Sequence, residues 1–214
     1  MTETKIYSVN TDSFEKIIEE TAYALKNGQI AAFPTETVYG LGACVFDERA
    51  VLKIYQAKGR MPEKPLSILI GKIEEMEQIA QNIPKNAYIL AEKFWPGPLT
   101  IILEKKEQIS DQVTAGKKTV GIRLPAHRIP LEIIKLAGPL ACPSANLSNS
   151  REPTTAADVS EDLMNKIDIL IDGGKTEFKI PSTIIDLTSE PPKILRKGGT
   201  DVTEIKKYIG EVTE

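Results

Sequence analysis

Short apolar runs alternate with longer stretches of helical spacing along nearly the whole chain, and this alternation restricts the fold more than any other feature. Runs at 6–9, 30–33, 66–70, 99–103, 120–124, 140–142, 167–171, 182–187 and 193–196 read as strands. Between them, Phe14, Ile17, Ile18, Thr21, Ala24 and Leu25 recur at helical spacing. Asp12 or Ser13 can cap that helix and Gly28 stops it. Further helices are expected over 48–57, 73–80, 84–94, 129–137 and 202–209, and a polar loop over 110–118. Trp95-Pro96-Gly97-Pro98 is a rigid turn, since both prolines fix their φ. Interleaved strands and helices without repeat or linker mean an α/β fold. Pro181 and Pro191-Pro192 put turns among the later strands, so the sheet is expected to be mixed, with antiparallel strands at its end.

Composition narrows the function. The chain has 214 residues, of which 41% are hydrophobic and 27% charged, as in an ordinary soluble domain with ample core. A net charge of -3 argues against a protein that wraps nucleic acid through overall charge, while leaving room for a local basic pocket. Cys44 and Cys142 are the only cysteines and form no Cys-x-x-Cys pair, so neither structural zinc nor a redox pair is expected. No signal peptide or membrane-length apolar run is present, and the expected location is cytoplasmic. The glycosylation sequon Asn146-Leu147-Ser148 is then a chance match.

Two familiar nucleotide motifs fail on inspection. Gly40-Leu41-Gly42 begins like a dinucleotide fingerprint, but Val45 stands where its third glycine belongs. Gly174-Lys175-Thr176 ends like a P-loop, but Ile169 stands where its first glycine belongs. His127, the only histidine, has no evident nucleophile partner and reads as a surface residue.

Polar groups gather instead where strands end. After the apolar run at 30–33 come Pro34-Thr35-Glu36-Thr37-Val38-Tyr39-Gly40-Leu41-Gly42, with hydroxyls for a polar ligand and glycines for close backbone approach. Lys58 and Arg60 lie two apart, and an extended segment there would point both the same way. Arg123 sits among apolar residues, where an unpaired charge is costly, so it has either a ligand or a buried acid as partner. Arg196 closes another strand. Four cations at strand ends suit a ligand bearing carboxylate and phosphate. Pro143-Ser144-Ala145-Asn146 and Pro181-Ser182-Thr183 add hydroxyl and amide donors.

Taken in order, these stretches resemble the YrdC family. The resemblance rests on Pro34 to Gly42, Lys58-Gly59-Arg60, Phe94 to Thr100, Gly121 to Pro125, Ser144 to Ser148 and Pro181 to Ile184. It implies a twisted mixed sheet with surrounding helices and a concave, positively charged cavity. It also implies an ATP-dependent reaction. L-threonine and bicarbonate or carbon dioxide give N-carboxy-threonine, which attacks the α-phosphorus of ATP and releases pyrophosphate. A downstream transferase complex then moves the threonylcarbamoyl group to tRNA, which this chain would contact weakly or indirectly; no membrane is involved. By the resemblance, Lys58 and Arg60 are catalytic. Lys58, Pro62, Thr119, Ser144, Asn146, Thr154 and Arg196 bind ATP, and Thr35, Ser67, Arg123 and Ser182 hold threonine. Magnesium accompanies ATP, with no dedicated protein ligand. Met61, Ser67 and Pro143 depart from the common pattern, in which proline, histidine and threonine stand there. Ending at Glu214, the chain is expected to be one catalytic domain over 1–214, without the second C-terminal domain of longer relatives. Two alternatives differ in class. A related domain serves carbamoyl-transferring hydrogenase maturation factors, in longer chains with zinc-finger-like cysteines. An RNA-binding module would use the cavity as a basic groove, but it needs exposed aromatics, and aromatics are only 6% here.

Overall fold

A computed structural model describes residues 3–9 and 13–214, so the expected cap Asp12 lies outside the described residues. The strands are β1 (Lys5–Ser8), β2 (Ala31–Phe33), β3 (Gly40–Cys44), β4 (Ser67–Leu69), β5 (Ala80–Gln81), β6 (Leu99–Lys105), β7 (Thr119–Arg123), β8 (Leu140–Ala141), β9 (Ile169–Asp172), β10 (Thr183–Asp186) and β11 (Lys193–Arg196). The helices are α1 (Phe14–Lys26), α2 (Glu48–Lys58), α3 (Met76–Ile79), α4 (Lys85–Phe94), α5 (Asp111–Thr114), α6 (Arg128–Ala137), α7 (Ala156–Leu163) and α8 (Val202–Ile209). Among the described residues, eleven strands join in one twisted mixed sheet, ordered β1-β9-β2-β3-β8-β4-β7-β6-β10-β11, with β5 beside β6. β10 is parallel to β6 and antiparallel to β11, as the late proline turns implied.

Strand alternation divides the core into two layers. Ala31 and Phe33 of β2, with Ile169 and Ile171 of β9, face α1 and α6 through Phe14, Ile17, Leu25, Ile133 and Ile134. Ala32 and Leu170, one residue out of phase, join the layer under α2, α4, α7 and α8. Each large apolar side chain buried this way contributes about 1.5–3 kcal/mol. No described helix is long and apolar enough to cross a membrane.

Three elements differ from the sequence reading. Gly40 to Cys44 forms β3 rather than a loop, with Gly40 still lining the cavity described below. Its glycines serve packing: a Cβ on Gly40 would lie 2.5 Å from Cys142 Sγ, and one on Gly42 would lie 2.8 Å from the Phe33 ring. The polar segment after Ile109 holds the single turn α5, capped by Ser110, whose hydroxyl accepts from the Gln112 N–H. α7 has sparse apolar spacing and is started by a capping box, Thr155 with Asp158.

Register then decides which side chains meet. β6 and β7 are antiparallel, so Arg123 at the end of β7 lies near the start of β6 and Thr119 pairs with Glu104 near its far end. Thr183, at the start of β10, pairs with Leu99 at the start of β6. Arg123, Thr100 and Ser182 therefore share one edge of the sheet, and Thr119 lies at the other.

Candidate active site

At that shared edge lies a cavity enclosing, open mouth included, about 800 Å³. Its charged lining is Arg60, Arg123, Arg196 and one acid, Glu152; Thr35, Thr37, Ser67, Thr100, Ser144 and Ser182 supply hydroxyls.

Arg123 forms the floor. It is 7% exposed, and its Nη2 lies 2.7 Å from Oε1 of Glu36, itself 2% exposed. Its Nε donates to the Gly97 carbonyl at 3.2 Å, which is what the Trp95 to Pro98 turn presents. The ion pair is close but poorly aligned, so neither Glu36 oxygen accepts a well-formed hydrogen bond. The sequence left Arg123 with a ligand or a buried acid as alternatives; the structure gives it the acid and also turns it towards the cavity.

Hydroxyls surround that floor. Thr35 Oγ1 lies 2.8 Å from Thr37 Oγ1 and donates to the Val38 carbonyl at 2.7 Å, closing the turn after β2. Ser182 Oγ lies 2.7 Å from Thr100 Oγ1. Ser67, at the start of β4, opposes Gly121.

The cations nearer the mouth are held differently. Arg60 donates from Nε to the Lys64 carbonyl at 3.0 Å and from Nη2 to the Pro65 carbonyl at 2.7 Å. Arg196 donates from Nε to the Ser182 carbonyl at 2.9 Å and from Nη2 to Ser182 Oγ at 3.1 Å. Neither has a carboxylate within ion-pair distance among the described residues. Desolvation lowers the pKa of both.

Lys58 takes a third position. The expectation of an extended Lys58–Arg60 segment is corrected: α2 ends at Lys58, and Gly59 turns left-handed at φ 56°. The two side chains diverge, with Arg60 entering the cavity. Lys58 Nζ runs beneath the Ser144–Asn146 turn and donates to the Ser144 carbonyl at 2.6 Å and the Asn146 carbonyl at 2.5 Å. Asn146 Oδ1, at 3.1 Å, completes its three acceptors and also accepts from Ser144 Oγ at 2.7 Å. Burial, followed by the neighbouring Arg60, pushes the Lys58 pKa down to about 8.

Of the expected site residues, Thr35, Arg60, Ser67, Arg123, Ser144, Ser182 and Arg196 line one cavity. Lys58 and Asn146 support its wall from behind. Thr154 lies just past Glu152, its hydroxyl donating to Asp158 at 3.1 Å in the cap of α7. Pro62 is exposed in the turn after Arg60. Thr119 is not brought to the cavity: it lines a separate hollow with Lys118 and Glu104, for the register reason given above. His127 is a half-buried helix cap, not a surface residue; its Nδ1 accepts from the Ile129 N–H at 3.2 Å. Sequence reasoning missed Glu36 as the partner of Arg123, and it missed Thr100 and Glu152. Only the buried setting of Arg123 signalled that a partner existed.

The lining offers no activated protein nucleophile. Burial pushes the Cys142 thiol up to about 12, keeping it neutral. The Tyr39 hydroxyl donates to the Gly174 carbonyl at 2.7 Å, and burial raises its pKa. Such a cavity can bring two anionic ligands together and leave the bond-making to them.

Comparison with known proteins shows which family the chain belongs to. Residues 23–198 match the model of a family designated Sua5_yciO_yrdC and described as telomere recombination. The chain is similar to the threonylcarbamoyl-AMP synthase of Pyrococcus abyssi (strain GE5 / Orsay), 50% identical over 189 residues, covering 88% of this chain and 56% of that one. It is similar to the threonylcarbamoyl-AMP synthase of Bacillus subtilis (strain 168), 43% identical over 197 residues, covering 91% and 57%. A crystal structure of P. abyssi Sua5 complexed with L-threonine superposes with a TM-score of 0.94 at 46% identity, covering 100% of this chain and 63% of that one. The chain thus spans a little over half the length of the curated relatives it matches.

Proposed function

The chain belongs to the Sua5–YciO–YrdC family, and from that premise we propose that it makes threonylcarbamoyl-AMP and pyrophosphate from L-threonine, bicarbonate or carbon dioxide, and ATP. The observation that carries this proposal is that one cavity holds two kinds of anion seat. Arg123 is charge-balanced by Glu36 and ringed by hydroxyls, whereas Arg60 and Arg196 lean only on neutral oxygens. An amino acid suits the first seat and a triphosphate the second. The name of the P. abyssi relative and its family's structure with L-threonine support the same pair of substrates.

In the proposed reaction, Arg123 takes the threonine carboxylate, and Thr35, Ser67 and Ser182 surround the rest of the amino acid. The free amine attacks carbon dioxide, or bicarbonate with loss of water, and sheds a proton to give the carbamate. A carbamate oxygen then attacks the α-phosphorus of ATP, and the bond to pyrophosphate breaks. Arg60 and Arg196 offset repulsion between the two anions and stabilise charge on the departing pyrophosphate. Lys58 holds the Ser144–Asn146 turn against the nucleotide. Magnesium is proposed to come with the triphosphate, whose charge it would partly neutralise. The cavity lining offers it one carboxylate, Glu152, and the described residues hold no metal-binding cluster of His, Cys, Asp or Glu. The product is an acyl adenylate, so a threonylcarbamoyl-transferring system acting on tRNA would consume it.

Incubating the protein with ATP, magnesium, L-threonine and bicarbonate, followed by mass analysis, tests the proposal. Threonylcarbamoyl-AMP with stoichiometric pyrophosphate is the expected outcome. Nucleotide turnover that ignores omission of threonine would overturn it.

A further inference from the structure

The cavity's cations differ in what stands behind them. Arg123 alone has a buried carboxylate, Glu36 Oε1, at 2.7 Å from Nη2. Glu36 sits between Thr35 and Thr37, both of which line the cavity, while Glu36 itself does not. Its second oxygen, Oε2, is buried without a hydrogen-bond partner. The ion pair with Arg123 offsets the cost of burying this carboxylate only in part, because its oxygens lack hydrogen bonds.

We propose that Glu36 is a specificity-determining residue that reserves the Arg123 seat for a zwitterionic amino acid and excludes phosphate from it. The inference rests on the assignment of Arg123 to the threonine carboxylate. With Glu36 behind it, Arg123 presents a local dipole with no net charge. An amino acid carries one carboxylate balanced by its own ammonium group, and such a dipole suits it. A phosphate brings about −1.5 to −2 charges at neutral pH and would meet the field of Glu36 directly behind the guanidinium. A protein that must keep a triphosphate off one arginine and on two others needs such a distinction. Composition alone cannot supply it, because the guanidinium groups are chemically the same. Arg60 and Arg196, held by the carbonyls of Lys64, Pro65 and Ser182, have no carboxylate within ion-pair distance among the described residues, although Glu152 shares the lining with them.

The experiment uses inorganic phosphate as probe, with calorimetric titration of threonine in its presence. On the unaltered protein, phosphate is expected to compete with ATP and to leave threonine affinity unchanged. In Glu36→Gln, phosphate is expected to displace threonine at concentrations at least about tenfold lower, because one negative charge near the site is gone. Glu36→Asp keeps the charge and is expected to behave like the parent. Competition between phosphate and threonine on the unaltered protein would overturn the proposal without any variant, which matters if Glu36→Gln fails to fold. A folded Glu36→Gln that still ignores phosphate would overturn it as well. If the unaltered protein binds no threonine at all, the proposed function fails instead, so the two failures are distinguishable.

Discussion

The floor and the mouth of the cavity use the same side chain for different ends. At the floor, Arg123 is buried and tied to Glu36, and its charge is spent locally. At the mouth, Arg60 and Arg196 are anchored by carbonyls that orient them without neutralising them. An arginine's function in a cavity follows from the acceptor behind it as much as from its own position. A carboxylate behind it gives a seat for a single neutral-overall ligand, and a carbonyl behind it leaves the charge available to a polyanion.

The largest expected effect comes from breaking the floor. Arg123→Ala leaves Glu36 as an uncompensated buried charge, which should cost about 3–5 kcal/mol of stability and abolish threonine binding. The paired variant Arg123→Leu with Glu36→Leu removes both charges. It should regain most of the stability in a denaturant melt while still failing to bind threonine. If the paired variant binds threonine, the floor is structural only.

The mouth should respond in the opposite way. Arg60→Ala and Arg196→Ala should each lower the rate of pyrophosphate release by about a hundred- to a thousandfold, as when one preorganised charge is removed from a transition state. Their melting temperatures should fall far less than that of Arg123→Ala, since only neutral acceptors and no buried charge are stranded. Near-normal turnover in either variant would make that residue a bystander.

Lys58 sharpens the comparison through pH. Its pKa lies at about 8 rather than the ordinary 10.5, so it is protonated below that value and neutral above it. Deprotonation removes a donor from the Ser144–Asn146 turn, so activity should fall as pH rises through about 8. Over the same window an unfolded chain would hold the Lys58 proton more tightly, so this group makes the fold more stable as pH rises. The activity loss should therefore appear without earlier melting. In Lys58→Arg, whose side chain stays charged at all accessible pH, the residual activity should lack this alkaline limb.

The smallest effect serves as a control. His127 caps α6, and Glu36 is near enough to oppose the burial that lowers its pKa. His127→Ala should cost about 1 kcal/mol, as for loss of a helix cap, and leave the KM for threonine and for ATP unchanged. A raised threonine KM would mean that any disturbance near Glu36 acts as a floor mutation.

Much of the cavity was legible because strand ends announce themselves. Thr35, Arg123, Ser144, Ser182 and Arg196 each follow or adjoin a short apolar run, and sheet topology gathers those ends, while Arg60 joins them from the turn after α2. Direction was harder. Lys58 and Arg60 look in sequence like one extended pair, but a left-handed glycine between them sends one under the wall and the other into the cavity. Thr119 shares a strand with Arg123, and only the antiparallel register with β6 reveals that it belongs to the far edge. Two glycines concealed β3, because the Cys142 sulfur and the Phe33 ring that exclude side chains there come from other strands or their exits. The role of Glu36 was invisible for a similar reason. An acid beside threonines looks like a turn, and its partner on β7 is distant in sequence.

The central claim is that one cavity has two separable seats, and titrating each substrate into Arg60→Ala tests it most directly. Threonine should bind with an affinity within about twofold of the parent protein, while binding of ATP should weaken by at least about tenfold. Equal weakening of both ligands, in a variant that melts like the parent, would show a single shared anion site and contradict the account.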